Sequence, residues 1–449
     1  MPERRKLEAL KTKVRDLDAP ELLQLGREFQ TLPPHDVADL LESLDAERQL
    51  PVLLELDPEF AGEVLVELNE EIQEDLVPRI PLDSMVGILK TLQPDDAADI
   101  YALVTETQRP PLLRMLPQDL QDQILHLASY HHDSAGGIMT PEFLAVPEST
   151  TLAEVLEKVS GFEDLETDQI YVVDPDDKLC GVVSLQEILA ERDQSQPVSA
   201  IMERQVQSVR DTDDQEEALH QASHYGLNTV PVIDEHDHLV GIVTTDDLDQ
   251  VQEEEASEDL LRMAGTLAKH PSHLPTLERI VYRLPQLAVT TVTCLGISMI
   301  LGLLVPAEGT HNLLLEALKY LPLIIALSGN VGNVGNALVV RGLATQDLDP
   351  DRLFEPFLEE FKVDIGISIL SSSATFVAVG FLENWNQLAW AVGTALLIAP
   401  IISGLAGFMI PVTADKLGRD PALTGTLVTN INDLAGTSVY VLICLAMLQ

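Results

Sequence analysis

The chain has 449 residues, a formal charge of −46 and 46% apolar residues. That length allows two or three domains, and so large an acid excess repels phosphates, excluding nucleic acid as a partner while attracting multivalent cations. The acidity is uneven: residues 280–449 hold 13 acidic and 7 basic side chains, against 60 and 20 in residues 1–279.

Three scattered cysteines, Cys180, Cys294 and Cys444, form neither a disulfide framework nor a CxxC site. The N-terminal run MPERRKLEALKTKVRD is charged throughout, so no cleaved signal peptide is expected and the acidic front is expected in the cytoplasm.

Residues 1–130 read as an acidic helical N domain. Apolar residues recur at three- and four-residue spacing, as in Val37, Leu40, Leu41 and Leu44, or Val64, Leu65 and Leu68. A loose repeat, PPHDVADLLESL, DPEFAGEVLVEL and QPDDAADIYALV, places Pro before an acidic first turn each time. Both features suit a helix start, and the units predict a winding stack of short helices.

Residues 131–250 carry a stronger repeat. GGIMTPEFLAVPESTTLAEVL is answered by SAIMERQVQSVRDTDDQEEAL, and DQIYVVDPDDKLCGVVSLQEIL by NTVPVIDEHDHLVGIVTTDDL. Short β-branched runs beside turns and helix starts predict one α/β module present twice. Its I-M segments, its I/V-x-V-V/I-D strands and the turns Gly181–Glu187 and Gly241–Asp247 resemble a pair of CBS modules. That resemblance implies an adenine nucleotide ligand, with Thr244 and Asp247 on its ribose. The same turn also serves as a purely structural helix start, and both readings stand on the sequence.

DLDQVQEEEASEDLLRMAGTLAKHPS, residues 247–272, predicts one long acidic helix, with residues 251–279 connecting to the region behind it. Five apolar stretches follow, at 284–305, 319–340, 363–382, 388–414 and 422–448, each near the 20 residues or so that cross hydrocarbon. Residues 280–449 are therefore read as a five-helix membrane domain. Arg279, Arg283, Arg341, Arg352, Lys362, Lys416 and Arg419 flank the spans on one side, whereas the loops PAEGTHN and ENWNQ carry no base. The positive-inside rule then leaves the front in the cytoplasm and the C-terminus outside.

Asp433 is the one charge within the last stretch. At bilayer depth an aspartate costs roughly 2.5–3.5 kcal/mol, which makes it a functional candidate by default. At about 100° per residue, Thr426, Thr429, Asp433 and Thr437 share one helix face. In the second stretch, Asn330, Asn333 and Asn336 recur every third residue, as do Gly329, Gly332 and Gly335, which predicts an asparagine stripe beside a glycine stripe. Two readings fit this run: polar glue between close-packed helices, or an oxygen-lined path for a cation. Oxygen donors without His or Cys point to hard cations such as Mg2+, Ca2+ or Mn2+. No nucleophile–base pair or P-loop appears, so no enzyme is expected.

Over nearly its whole length the chain resembles the MgtE-type magnesium channels. The resemblance rests on YLPLIIALSGNVGNVGNALVVRGLATQDLD and DPALTGTLVTNINDLAG, and on the order of domains. It implies a multidomain fold: an all-α superhelical N domain, an α/β tandem CBS pair, a connecting helix and a five-span α-helical membrane domain. It also implies a homodimer in the lipid bilayer of the cytoplasmic membrane, with Mg2+ both transported and regulatory. Asp433 would hold hydrated Mg2+ with help from the Thr429 carbonyl, and Asn330 and Asn333 would line the pore. Regulatory Mg2+ would fall to Glu63, Asp95, Asp99, Gly136, Asp214, Glu216, Asp247, Glu255, Glu258 and Asp259.

The chain departs from the family pattern at Thr424-Gly425-Thr426 and at Val334, Gly335 and Asn336. Gly226 and Gln250 replace aspartates, and Gln186 an arginine tied to nucleotide contact. A transporter of Mn2+ or Co2+ and a membrane-anchored nucleotide sensor are the rival expectations.

Overall fold

The computed structural model describes residues 29–161, 167–267, 274–303, 313–345, 348 and 353–448. The charged N-terminal run, the PAEGTHN loop, Arg352 and residues 268–272 of the expected connecting helix lie outside the described residues. Two compact units emerge, Met1–Glu253 and Glu254–Gln449.

The first unit opens with short helices in two interleaved rows. Pro34–Glu42, Pro58–Val66, Leu82–Leu89 and Arg109–Met115 stack in one row; Ala46–Leu53, Glu70–Leu76, Pro94–Leu103 and Gln118–Leu127 stack in the other. None exceeds 10 residues, too short to persist alone in water, so the shared core makes them helical. Val37, Leu40, Leu41, Leu44, Val64, Leu65 and Leu68 are all buried in that core, as their spacing predicts. Pro34, Pro58 and Pro94 each open a helix with an acid in its first turn.

The two α/β copies each form a three-stranded sheet. β1 (Ala145–Pro147) runs parallel to β2 (Gln169–Val173), which pairs antiparallel with β3 (Leu179–Ser184). β4 (Val209–Arg210), β5 (Val230–Ile233) and β6 (Leu239–Val243) repeat this order. The I-M segments do not open the strands of their own copies. Thr140 pairs with Ile242 of the second copy, and Glu203 with Val182 of the first. Gly241 and Gly181 permit the crossing, because a Cβ there would meet Met139 at 3.0 Å or less and the Met202 side chain at 3.0 Å or less. Tyr171 adds a buried seam between copies through its hydroxyl to Thr229 Oγ1 at 3.0 Å, and burial pushes its phenol up to about 12.

The acidic helix runs over Thr245–Ala264 and stops at Gly265, φ +112°. It is therefore shorter than the charge pattern predicts, since a glycine with positive φ ends it. Five helices long and apolar enough to cross a membrane follow: Thr276–Gly302, Leu313–Ala344, Phe354–Leu382, Gln387–Lys416 and Pro421–Met447. The first and third begin eight or more residues before the expected apolar stretches, because helical hydrogen bonding continues past the hydrocarbon limit. In the second, Leu313–Ala317 leads through a tight turn, Leu318–Tyr320, into the main helix Leu321–Ala344.

Candidate ion path and regulatory acids

The fifth span carries Asp433 next to its most exposed side, which Leu423, Leu427 and Leu434 occupy. Thr426 and Thr429 are exposed, and Asp433 and Thr437 are half-buried. The four expected to share a face do so. Among the described residues, Asp433 has no hydrogen-bond or ion-pair partner.

Its neighbour Asn432 is treated oppositely. The side chain is fully buried, and neither Nδ2 nor Oδ1 finds a hydrogen-bond partner. It wedges against the second span at Gly332, where a Cβ would come within 2.7 Å of Asn432 Cγ and of the Ser403 carbonyl. At Gly407 of the fourth span an added Cβ would meet the Gly332 backbone itself, 3.0 Å from its Cα. The glycine run thus lets three helices approach around the residue preceding Asp433.

The asparagines do not form one stripe. Asn333 Oδ1 accepts from Thr429 Oγ1 at 3.2 Å, and Asn336 Oδ1 from Thr424 Oγ1 at 2.9 Å, both toward the fifth span. Asn330 Nδ2 instead donates to Thr290 Oγ1 of the first span at 3.0 Å. The physical reason is rotation: a three-residue step turns the helix about 300°, so Asn330 and Asn336 stand about 120° apart. Each asparagine bonds a neighbouring helix, and Asn333's partner, Thr429, lies one turn before Asp433.

A buried charge cluster sits at one end of the bundle, built in part from two arginines that the charge pattern alone reads as topological markers. Glu360 is paired with Arg279, and with Arg283 Nη1 at 2.8 Å. Asp364 Oδ1 lies 3.8 Å from Arg283 Nη1. All four side chains are buried, two positive against two negative. Asp364 also packs onto Gly404 of the fourth span. At the bundle's other end Glu383 Oε1 takes both Lys319 Nζ and the Tyr320 hydroxyl at 2.7 Å.

Of the expected regulatory residues, Glu63, Asp99 and Asp259 are exposed, and Asp95 and Glu255 half-buried. Gly136 and Asp214 lie on paired segments: Gly136 N donates to the Asp211 carbonyl at 2.9 Å, and Ser134 bridges Asp214. Asp214 Oδ1 caps its helix by accepting Glu216 N at 3.0 Å. Glu258 is buried and paired with Arg262 one turn along the same helix. Asp247 Oδ2 accepts Thr244 Oγ1 at 2.6 Å and Thr244 N at 3.1 Å, a helix-start clasp that Ser184 and Glu187 reproduce in the first copy. Gly226 caps a helix at φ +68°, a conformation glycine adopts more readily than aspartate.

A helical acidic domain, a CBS pair and five membrane-crossing helices with an unpartnered intramembrane carboxylate define a multi-pass membrane transporter. Three family models match: the MgtE divalent cation transporter over residues 321–443, the MgtE intracellular N domain over 32–133, and the CBS domain over 135–193 and 198–254. The magnesium transporter MgtE of Thermus thermophilus is 32% identical over 437 residues, 94% of each chain. That of Bacillus subtilis is 25% identical over 413 residues, 91% of this chain and 90% of the relative. A solved cytosolic domain of the Mg2+ channel MgtE in complex with ATP is 35% identical, covering 54% of this chain and 97% of that one, with a TM-score of 0.48. The chain belongs to the MgtE family of divalent cation transporters, and it is not an enzyme.

Proposed function

We propose that this protein is a homodimeric, Mg2+-selective channel that imports Mg2+ across the cytoplasmic membrane and is closed by cytosolic Mg2+. The observation that carries this reading is Asp433, a half-buried carboxylate without a partner among the described residues, on a helix face where Thr426 and Thr429 are exposed. The fifth span's apolar window is 22% buried and the first span's 17%, against 61% in the second, so both leave room for a partner. Lipid cannot face Asp433, Thr426, Thr429 and Thr437 without the cost of bare polar groups in hydrocarbon. A second copy across a water-filled path removes that cost. One carboxylate per subunit, backed by hydroxyl, amide and carbonyl oxygens, suits Mg2+ that keeps most of its waters. The relatives' names, magnesium transporters, agree.

Gating follows from charge. Glu63, Asp95, Asp99, Asp214, Glu216, Asp247, Glu255, Glu258 and Asp259, with the Gly136 carbonyl, are the proposed regulatory ligands. Acids brought together repel until a divalent ion neutralises them, so Mg2+ favours the arrangement that assembles them. Thr244 and Asp247 hold each other at a helix start, which supports a structural role for the turn; adenine nucleotide binding there would have to open that clasp. The C-terminus is assigned to the outside by the basic residues between spans.

Divalent uptake into liposomes holding the purified protein tests this reading. Mg2+ uptake is expected to exceed Mn2+ and Ca2+ uptake, and to be lost in Asp433→Asn. Faster Mn2+ or Co2+ uptake would move the assignment to another hard ion, and no uptake of any ion would leave the membrane-anchored sensor.

A further inference from the structure

We propose that the turn between β5 and β6, Asp234-Glu235-His236-Asp237-His238, binds a transition-metal ion such as Zn2+ or Co2+ through Asp234 Oδ2 and both imidazoles. Ligand-capable atoms of Asp234, His236 and His238 all lie within 4.8 Å of one another. His238 Nδ1 stands 2.9 Å from Asp234 Oδ2, and His236 Nδ1 3.9 Å from the same oxygen. The two rings are nearly parallel, 20° between planes and 5.9 Å between centroids, so both present the same nitrogen to one carboxylate. Asp237 between them takes a left-handed φ of +68°, and the turn it closes leaves both rings beside the Asp234 carboxylate.

The carboxylate is fixed in advance. Its other oxygen, Oδ1, accepts the backbone N–H groups of His236 at 2.8 Å and His238 at 2.9 Å, closing the turn. Arg210 Nη1 donates to the Asp234 carbonyl at 2.9 Å, and its Nη2 lies 3.4 Å from Asp237 Oδ1, which takes up its charge. Oδ2 is left facing the imidazoles. Glu235 Oε1, 3.7 Å from His236 Nδ1, supplies a further oxygen at the rim.

The first copy shows that folding does not require the histidines. There Asp174 Oδ1 accepts Asp176 N at 2.8 Å and Lys178 N at 3.0 Å, and Asp177 takes φ +59° as Asp237 takes φ +68°. The same turn is built with Asp176 and Lys178 where the second copy has His236 and His238. An Asp at its head and a left-handed residue before its end meet the backbone demands of both. The imidazoles are additional to them.

Their chemistry selects the ion. Neutral imidazole nitrogen suits zinc, cobalt, nickel and copper, whereas Mg2+ takes oxygen. The side chains of His236 and His238 are 66% and 41% exposed, so an ion can enter with its remaining waters. Bound there, it would sit beside the seam where His238 bridges Lys178 of the first copy, and it would use none of the proposed Mg2+ ligands.

The test uses untagged full-length protein in detergent, equilibrated with Zn2+ under a large excess of Mg2+ to occupy oxygen-only sites. Elemental analysis after dialysis is expected to find one Zn2+ per chain, and none in the His236→Ala/His238→Ala double variant. Asp234→Asn, whose amide oxygen still accepts the two turn N–H groups, should bind Zn2+ about tenfold or more weakly while keeping its circular dichroism. A second stacked imidazole pair, His220 and His224 with centroids 5.8 Å apart, is the control, and His220→Ala/His224→Ala should retain the ion. No Zn2+ on the wild type, Zn2+ retained without His236 and His238, or Zn2+ lost with only His220 and His224 removed would each overturn the site.

Discussion

Two sets of carboxylates in the membrane bundle, the pair Glu360 and Asp364 and the single Asp433, are handled by the fold in opposite ways. Glu360 and Asp364 are buried against Arg279 and Arg283, so each charge has a counter-charge within the subunit. Asp433 stands half-buried on the fifth span with hydroxyls above and below it and no counter-charge. A charge kept for architecture must be neutralised where it is buried, because desolvation otherwise outweighs what it contributes. A charge left unneutralised at bilayer depth is held ready for something mobile. Pairing thus separates the structural acids from the one proposed to meet the ion.

The comparison breaks most visibly at Asp433. Asp433→Ala is expected to abolish Mg2+ uptake in liposomes while leaving expression and thermal unfolding in detergent near wild type. Glu360→Ala should instead cost stability. Two buried guanidinium groups lose their shared partner, at a cost of about 3–5 kcal/mol, measurable as a large loss of thermal stability. Wild-type uptake from Asp433→Ala, or wild-type stability from Glu360→Ala, would show that pairing does not sort these acids by role.

Much of this was legible in the chain, and the gaps have physical causes. Helix starts at Pro34, Pro58 and Pro94 depend on local chemistry, and the face shared by Thr426, Thr429, Asp433 and Thr437 follows from helix rotation alone. The partnership of Arg279 and Arg283 with Glu360 spans 81 and 77 residues, and no local pattern announces it. The two arginines therefore read as membrane-side markers only. The crossing of the I-M segments is hidden for the same reason: Met139 finds Gly241 about a hundred residues away. Two signals were present and passed over. Ala264-Gly265 marks a helix end inside the acidic run, and Asp234-x-His236-x-His238 shows its alternation openly.

Between the paired acids and Asp433 lies the glycine contact that sets the second span against its neighbours. Gly332→Ala forces a Cβ into Asn432 and the Ser403 carbonyl, and overpacking of this kind costs about 1–3 kcal/mol. Gly329, one turn away in the same run, has open space around its Cβ position. Gly329→Ala should be neutral or slightly stabilising, since alanine favours helix over glycine. Thermal unfolding of the two variants is expected to separate clearly, with uptake reduced only in Gly332→Ala. Equal behaviour would mean that the glycine run acts through composition rather than through this one contact.

The smallest expected effect concerns the acids outside the membrane. Glu255, Glu258 and Asp259 lie at three- and four-residue spacing on the connecting helix, so they are neighbours along one side of it. Glu258, itself buried, already has a partner in the exposed Arg262 one turn along, a helix pair of the kind worth about 0.3–0.5 kcal/mol. If pairing explains these acids fully, Glu255→Gln, Glu258→Gln and Asp259→Asn together should lower stability by that small amount at every Mg2+ concentration. If they are regulatory ligands, the loss appears as a change in slope. Mg2+ can shift a two-state equilibrium only through its different affinity for the two states, and removing ligands of one state removes that difference. Limited proteolysis across a Mg2+ series distinguishes the two, because wild-type protection is expected to rise with Mg2+ and protection of the triple variant to stay nearly flat. Curves of equal slope, offset or not, would place these three carboxylates with Glu360 and Asp364, as charges kept for architecture.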